Sequence, residues 1–243
     1  MSRLWVYLLM VMSGAGSIMA EEADNLARIH LEAIGGKMRL NLLNSLQVSG
    51  HVIIDGRILN FNLLAQRPNH IRMETRASEH VVVQATDGIN PPWQMDPDAK
   101  PLKPQLITGD EAREFSADAE FDDPLVDYAA KGYTLDFAGM DTLDGRTMFK
   151  LLVTRRMLVS YYLLLDAETY FIAAKQSVRR LEFGREVQIE TRYEDYRPVG
   201  GIIMPHRISV TADDKPLHET FLNKVRPNVP VPPDSFTMPV AGR

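Results

Sequence analysis

Six histidines, His30, His51, His70, His80, His206 and His218, are the side chains best suited to hold a metal or shuttle a proton. No two have the close spacing of a zinc site, and HExxH does not occur. The chain has no cysteine. That removes thiolate zinc, iron–sulfur clusters, a cysteine nucleophile, a disulfide scaffold and an acylated N-terminal cysteine. A GxSxG elbow and a glycine-rich phosphate loop are absent as well. The acidic pairs Asp122-Asp123 and Asp213-Asp214 could be imagined as acid–base couples. Adjacent acids in loops more often form turns and carry solvated charge. Catalysis therefore has no positive signal, and no metal or cofactor is expected. A triad built from distant residues would leave no local trace.

What the chain carries instead is apolar side chains on alternating positions. Leu59, Phe61 and Leu63 share a strand face, as do Ile71 with Met73, Val81 with Val83, and Tyr161 with Leu163. Trp93 and Met95 stand in a segment with five prolines between Pro91 and Pro104. Methionine adapts to irregular apolar ligands. The same residues would serve equally well to fill a core.

These residues need a scaffold, and the periodicity supplies one. Residues 22–44 read as helix, with Leu26, Ile29, His30, Ala33 and Ile34 on one face; His30 is expected to pack there. Gly35-Gly36 interrupts it, and a short turn at Met38–Leu43 follows. Alternation then predicts eleven strands, over 46–54, 58–65, 70–76, 80–86, 133–139, 147–154, 159–165, 171–178, 188–193, 203–210 and 218–226. Asp55-Gly56 and Asp144-Gly145 are hairpin turn signals. Thr108–Ala119 reads as a mid-chain helix, with Thr108 placed to cap it and Asp110 and Glu111 suiting its positive end. The expected fold is mainly β (α+β), one domain over residues 21–243, without internal repeats.

Of 243 residues, 45% are hydrophobic and 24% charged, an ordinary globular balance. With 27 basic and 32 acidic residues the net charge is −5, which argues against a nucleic-acid binder. Arg3 is followed by the apolar run Leu4–Met12, then small residues, then Glu21-Glu22. This is the layout of an export signal, expected to be cleaved after Ala20. The run is too short to cross a membrane, where about 20 apolar residues are needed.

With these elements in place, the sequence resembles the periplasmic lipoprotein carrier family with the LolA-like fold. Gln66-Arg67-Pro68-Asn69 is similar to that family's RPN hairpin end. Ala85-Thr86-Asp87-Gly88 followed by Trp93-Gln94-Met95-Asp96-Pro97 looks like its SDG…W…P segment, and Phe236-Thr237-Met238-Pro239 like its closing F-x-x-P strand. The order of elements agrees over nearly the whole mature chain. Departures are the Phe121-Asp122-Asp123-Pro124-Leu125-Val126-Asp127-Tyr128 segment and the Ala33-Ile34-Gly35-Gly36-Lys37 helix end, which look like a divergent lipoprotein-sorting-like branch.

The resemblance implies an incomplete antiparallel barrel of about eleven strands, with N-terminal and mid-chain helices as a lid over an apolar concave face. It implies an acylated ligand, lipid or lipoprotein, held in a trough. The expected lining is Leu59, Phe61, Leu63, Ile71, Met73, Val81, Val83, Trp93, Met95, Tyr161 and Leu163. Arg67 matches the arginine that bonds to the lid and holds it shut; its replacement by leucine should change ligand retention with little loss of stability. The implied setting is the periplasm, as a monomer in outer-membrane biogenesis, with an inner-membrane donor and an outer-membrane acceptor. A lipid-sensing regulatory domain, an envelope-complex accessory protein and a hydrolase with a dispersed triad remain alternatives.

Overall fold

The computed structural model describes residues 20–78, 80–155, 160–180 and 184–240. The export segment expected over 1–20 lies outside them, apart from Ala20. Among the described residues thirteen strands, including β11 (Glu186–Val199) and β12 (Ile202–Ala212), form one open antiparallel sheet in the order β6-β5-β4-β3-β2-β1-β13-β12-β11-β10-β9-β8-β7. The architecture is that of an incomplete barrel with few helices. Two more strands occur than alternation predicts. Both are short, β5 (Trp93–Met95) and β6 (Gln105–Leu106), and both lie in the proline-rich stretch. Proline confines pairing there to two or three residues at the sheet edge.

The chain clusters into two compact units. The first gathers the described residues up to Gly36, from Pro124 to Glu194, and from Val210 to Pro216. Its core sets α1 (residues 20–33) against β7 (Tyr133–Leu143), β8 (Arg146–Arg155), β9 (Tyr161–Asp166) and β10 (Ile172–Arg180). Ala23, Leu26 and Ala27, three and four residues apart, pack with Leu125, Leu135, Leu151, Val153, Leu163 and Leu165. His30 lies buried on the same helix, its Nδ1 2.8 Å from the Tyr170 carbonyl, as expected of a packed histidine.

The second unit spans Lys37–Asp123, Asp195–Ser209 and the described residues from Leu217. It contains α2 (Lys37–Leu42), β1 (Ser45–Ile54), β2 (Arg57–Gln66), β3 (His70–Ala77), β4 (His80–Thr86) and α3 (Gly109–Asp118). Most of β13 (Lys215–Pro227) belongs here too and pairs with β1 from Leu46↔Pro227 to Ile54↔His218. Asp55 and Gly56 both take positive φ, 50° and 72°, so the β1–β2 link is the tight turn its sequence predicts. Thr108 stands at the N-cap of α3 in extended conformation, but its hydroxyl makes no capping bond. Asp110 and Glu111 occupy the first helical turn.

Candidate functional site: an apolar sheet face and an arginine clamp

Residues opposite one another in an antiparallel ladder point to the same side of the sheet. The registers Val48↔Leu63, Leu63↔Met73 and Ala65↔Ile71 therefore put these residues on one face. Val52↔Leu59 and Gly50↔Phe61 join them. Phe61 and Ile71 are buried there; Leu59, Leu63 and Met73 are half-buried. Gly50 is required. A β-carbon on it would fall 2.8 Å from the Phe61 ring and 2.0 Å from the Phe221 carbonyl. The ring thus occupies the space a side chain at position 50 would need.

The same registers divide the expected lining. Glu74↔Val83 and Arg76↔Val81 turn the two valines to the opposite face, and Val83↔Met95 and Ala85↔Trp93 carry the next strand with them. There Val81, Val83, Ala85 and Trp93 form a packed cluster with Met95 and Met238. The C-terminal tail covers it. Trp93 Nε1 donates to the Phe236 carbonyl at 2.9 Å, Arg72 Nη1 to the Ser235 carbonyl at 3.5 Å, and the His70 ring meets Phe236. A groove of about 540 Å³ beside the tail is lined by Gln47, Asn62, Arg72, Glu74 and Ser235 together with Leu63, Leu64, Val229, Pro230 and Pro232, a mixed polar and apolar border. Tyr161 and Leu163 belong to the first unit, packed in its core with α1; Arg155 and Lys175 approach the Tyr161 ring at 5.0 and 5.7 Å. Of eleven residues expected to line one trough, five share the face of Phe61.

Helix α3 is bonded to that face near its start and lies close to it at its end. Gln84, opposite Met73, donates from Nε2 to Glu111 Oε1 at 3.2 Å. Asp118 acts electrostatically on His218, which stands opposite Ile54. Burial holds the His218 imidazole below its ordinary value, and the Asp118 carboxylate pulls the other way. No residue of α3 itself is buried. An amphipathic helix that seals a core hides its apolar side; this one leaves Ala112 and Phe115 half-exposed.

Arg67 joins the helical elements. Nη2 donates to the carbonyls of Leu40 and Leu43 at 3.0 Å each, and Nε to Leu43 at 3.3 Å. Leu40 lies in the last turn of α2 and Leu43 just past its end, where helix oxygens run short of intrahelical partners; the Leu40 carbonyl also accepts from Leu43 N–H at 3.1 Å. Nη1 donates to Asp122 Oδ2 at 2.5 Å, and the guanidinium lies 5.3 Å from the Phe121 ring centroid. Phe121 N–H in turn donates to the Pro68 carbonyl at 3.1 Å. One side chain therefore ties β2, α2 and the segment that follows α3. Asp122, whose sequence context marks it only as a turn former, is thus a partner of the clamp. The one available signal was its place in the segment where the chain departs from the family pattern. Among the described residues no group of three His, Asp or Glu could hold a metal.

This arrangement, a long open antiparallel sheet with helices, defines a fold class. A DUF1329 family protein from Desulfovibrio piger superposes with a TM-score of 0.60 at 10% identity, over 90% of this chain and 97% of the other. A putative outer membrane lipoprotein-sorting protein domain from Vibrio parahaemolyticus gives 0.59 at 12%, over 90% and 97%. A LolA superfamily protein from Nitrosomonas europaea gives 0.52 at 15%, over 91% and 97%. The chain thus has the LolA-like fold. Its sequence matches no family model and no curated protein.

Proposed function

We propose that the protein is a periplasmic carrier that binds the acyl chains of a lipid or lipoprotein in outer-membrane biogenesis, without catalysis. The observation that carries this reading is the apolar face of β1–β3, spanned by a helix that buries none of its own residues. Leu59, Phe61, Leu63, Ile71 and Met73 are its proposed lining. Each methylene moved there from water contributes about 0.8 kcal/mol, so a single acyl chain gains substantial affinity without a catalytic group. Arg67 is the proposed lock. It holds α2 and Asp122 in the empty protein and gives way when a ligand lifts α3. Transfer from an inner-membrane donor to an outer-membrane acceptor then needs only that each successive site bind the ligand more favourably. The export segment at the N-terminus and the fold of the lipoprotein-sorting and LolA superfamily neighbours support this setting.

The test is native mass spectrometry on protein purified from periplasm without detergent, followed by solvent extraction. A co-purifying phospholipid, fatty acid or acylated protein is expected. A clean apo mass, together with failure to take up a fluorescent fatty acid, overturns the reading and leaves a filled sheet with an accessory role.

A further inference from the structure

Helix α2 has two sides with different tasks. Leu40 and Leu43 are buried, and the carbonyls of both are held by Arg67. On the outer side Met38 and Leu42, four residues apart, are 76% and 64% exposed. Their neighbours are Lys37 and Arg39, and the helix, KMRLNL, contains no acid. Ile89, 89% exposed, follows the end of β4. Through the ladders Ser45↔Gln66 and Ile71↔Thr86 it lies at the same end of the strands as α2. Large exposed apolar side chains beside cations are what an interfacial segment presents to a bilayer. The rest of the chain makes this assignment selective. The net charge of −5 opposes approach to an anionic surface as a whole, so docking there calls for a local site that is both basic and apolar.

The geometry points to the outer face of α2 as a docking site for an anionic lipid bilayer. This rests on the carrier reading and adds where loading begins. Met38 and Leu42 enter the headgroup layer while Lys37 and Arg39 meet lipid phosphates. Because the inner side of the same short helix is bonded to Arg67, docking acts directly on the clamp that also holds Asp122.

The test is co-sedimentation of the full protein with vesicles of 70% phosphatidylcholine and 30% phosphatidylglycerol, set against pure phosphatidylcholine. Binding to the anionic vesicles alone, weakened by added salt, is expected. Met38→Glu with Leu42→Glu should lower that binding by about tenfold or more. Both positions are exposed, so the thermal midpoint should not move. Ile58→Glu, at the exposed β1–β2 turn beside Asp55, should leave binding unchanged. Equal binding to both vesicle types, no binding to either, or full binding by the double variant overturns the proposal. Fatty-acid uptake by the same variant in vesicle-free solution separates the two readings. Uptake should be normal, and its absence in wild type would instead remove the carrier reading.

Discussion

Arg67→Leu removes the guanidinium clamp and leaves a shorter, apolar side chain that ends at Cδ. Four hydrogen bonds disappear: those from Arg67 to the Asp122 carboxylate, to the Leu40 carbonyl and, twice, to the Leu43 carbonyl. The Arg67 and Asp122 side chains are 25% and 18% exposed, so water replaces part of what is lost. Fully exposed ion pairs contribute about 0.2–1 kcal/mol, and breaking a buried pair costs about 3–5 kcal/mol. A partly screened clamp belongs between them, at about 1–2 kcal/mol; because the clamp is made only in the empty protein, its loss favours the liganded state by that amount, which corresponds to roughly 5- to 30-fold slower release of a bound acyl probe. Stability should fall by a similar amount, more than the sequence alone led one to expect. Asp122→Asn should have a smaller effect, since the bonds to Leu40 and Leu43 survive. The two changes together should be less than additive, by about 0.5–1.5 kcal/mol. Stopped-flow release of a fluorescent fatty acid and urea unfolding read the two quantities separately. If Arg67→Leu loses stability yet releases the probe at the wild-type rate, the arginine is structural and the lock is wrong.

Further outcomes distinguish the two sides of the sheet. Phe61→Glu, and the milder Met73→Glu at a half-buried position, should abolish fatty-acid binding in protein that circular dichroism shows to be folded. Val83→Ala, behind the same sheet, should instead lower stability by about 2 kcal/mol and leave affinity alone; the reverse result would exchange the faces. Trp93→Phe strands the Phe236 carbonyl and should cost about 1–3 kcal/mol in urea unfolding without changing ligand uptake. His218 is held below its ordinary value of 6.5, so the unfolded chain takes up a proton first as pH falls below about that value. Stability should therefore drop between pH 7 and 5, and His218→Gln should flatten that drop. A variant that loses stability as steeply as wild type would remove His218 from the acid response.

The strands that alternate strictly were legible, because period two is written into the residues themselves. β5 and β6 were not, since proline masks a pairing that only the neighbouring strand makes visible. The trough shows the limit of alternation most clearly. Ile71 with Met73, and Val81 with Val83, were each placed on one face correctly within their strands. The phase between strands comes from register, and Met73↔Gln84 turns the valines away. Tyr161 and Leu163 alternate in the same way whether they line a cavity or lie under α1. Arg67 stood out through its RPN context. Its partner Asp122 did not, because a contact between residues far apart in the chain leaves no local spacing to read.

The pairing of β1 with β13 joins the beginning of the second unit to its end, Leu46 against Pro227. During synthesis β1 and β2 can form a hairpin early, but β1 keeps an open edge until β13 (Lys215–Pro227) is made. Closing so distant a ladder is slow, and an open apolar strand edge invites pairing with other chains. Completion of this unit thus waits for β13 to be made. A chain cut short before Lys215 would retain the Phe61 face yet have no strand to finish it, which makes such fragments candidates for aggregation or proteolysis rather than for partial activity.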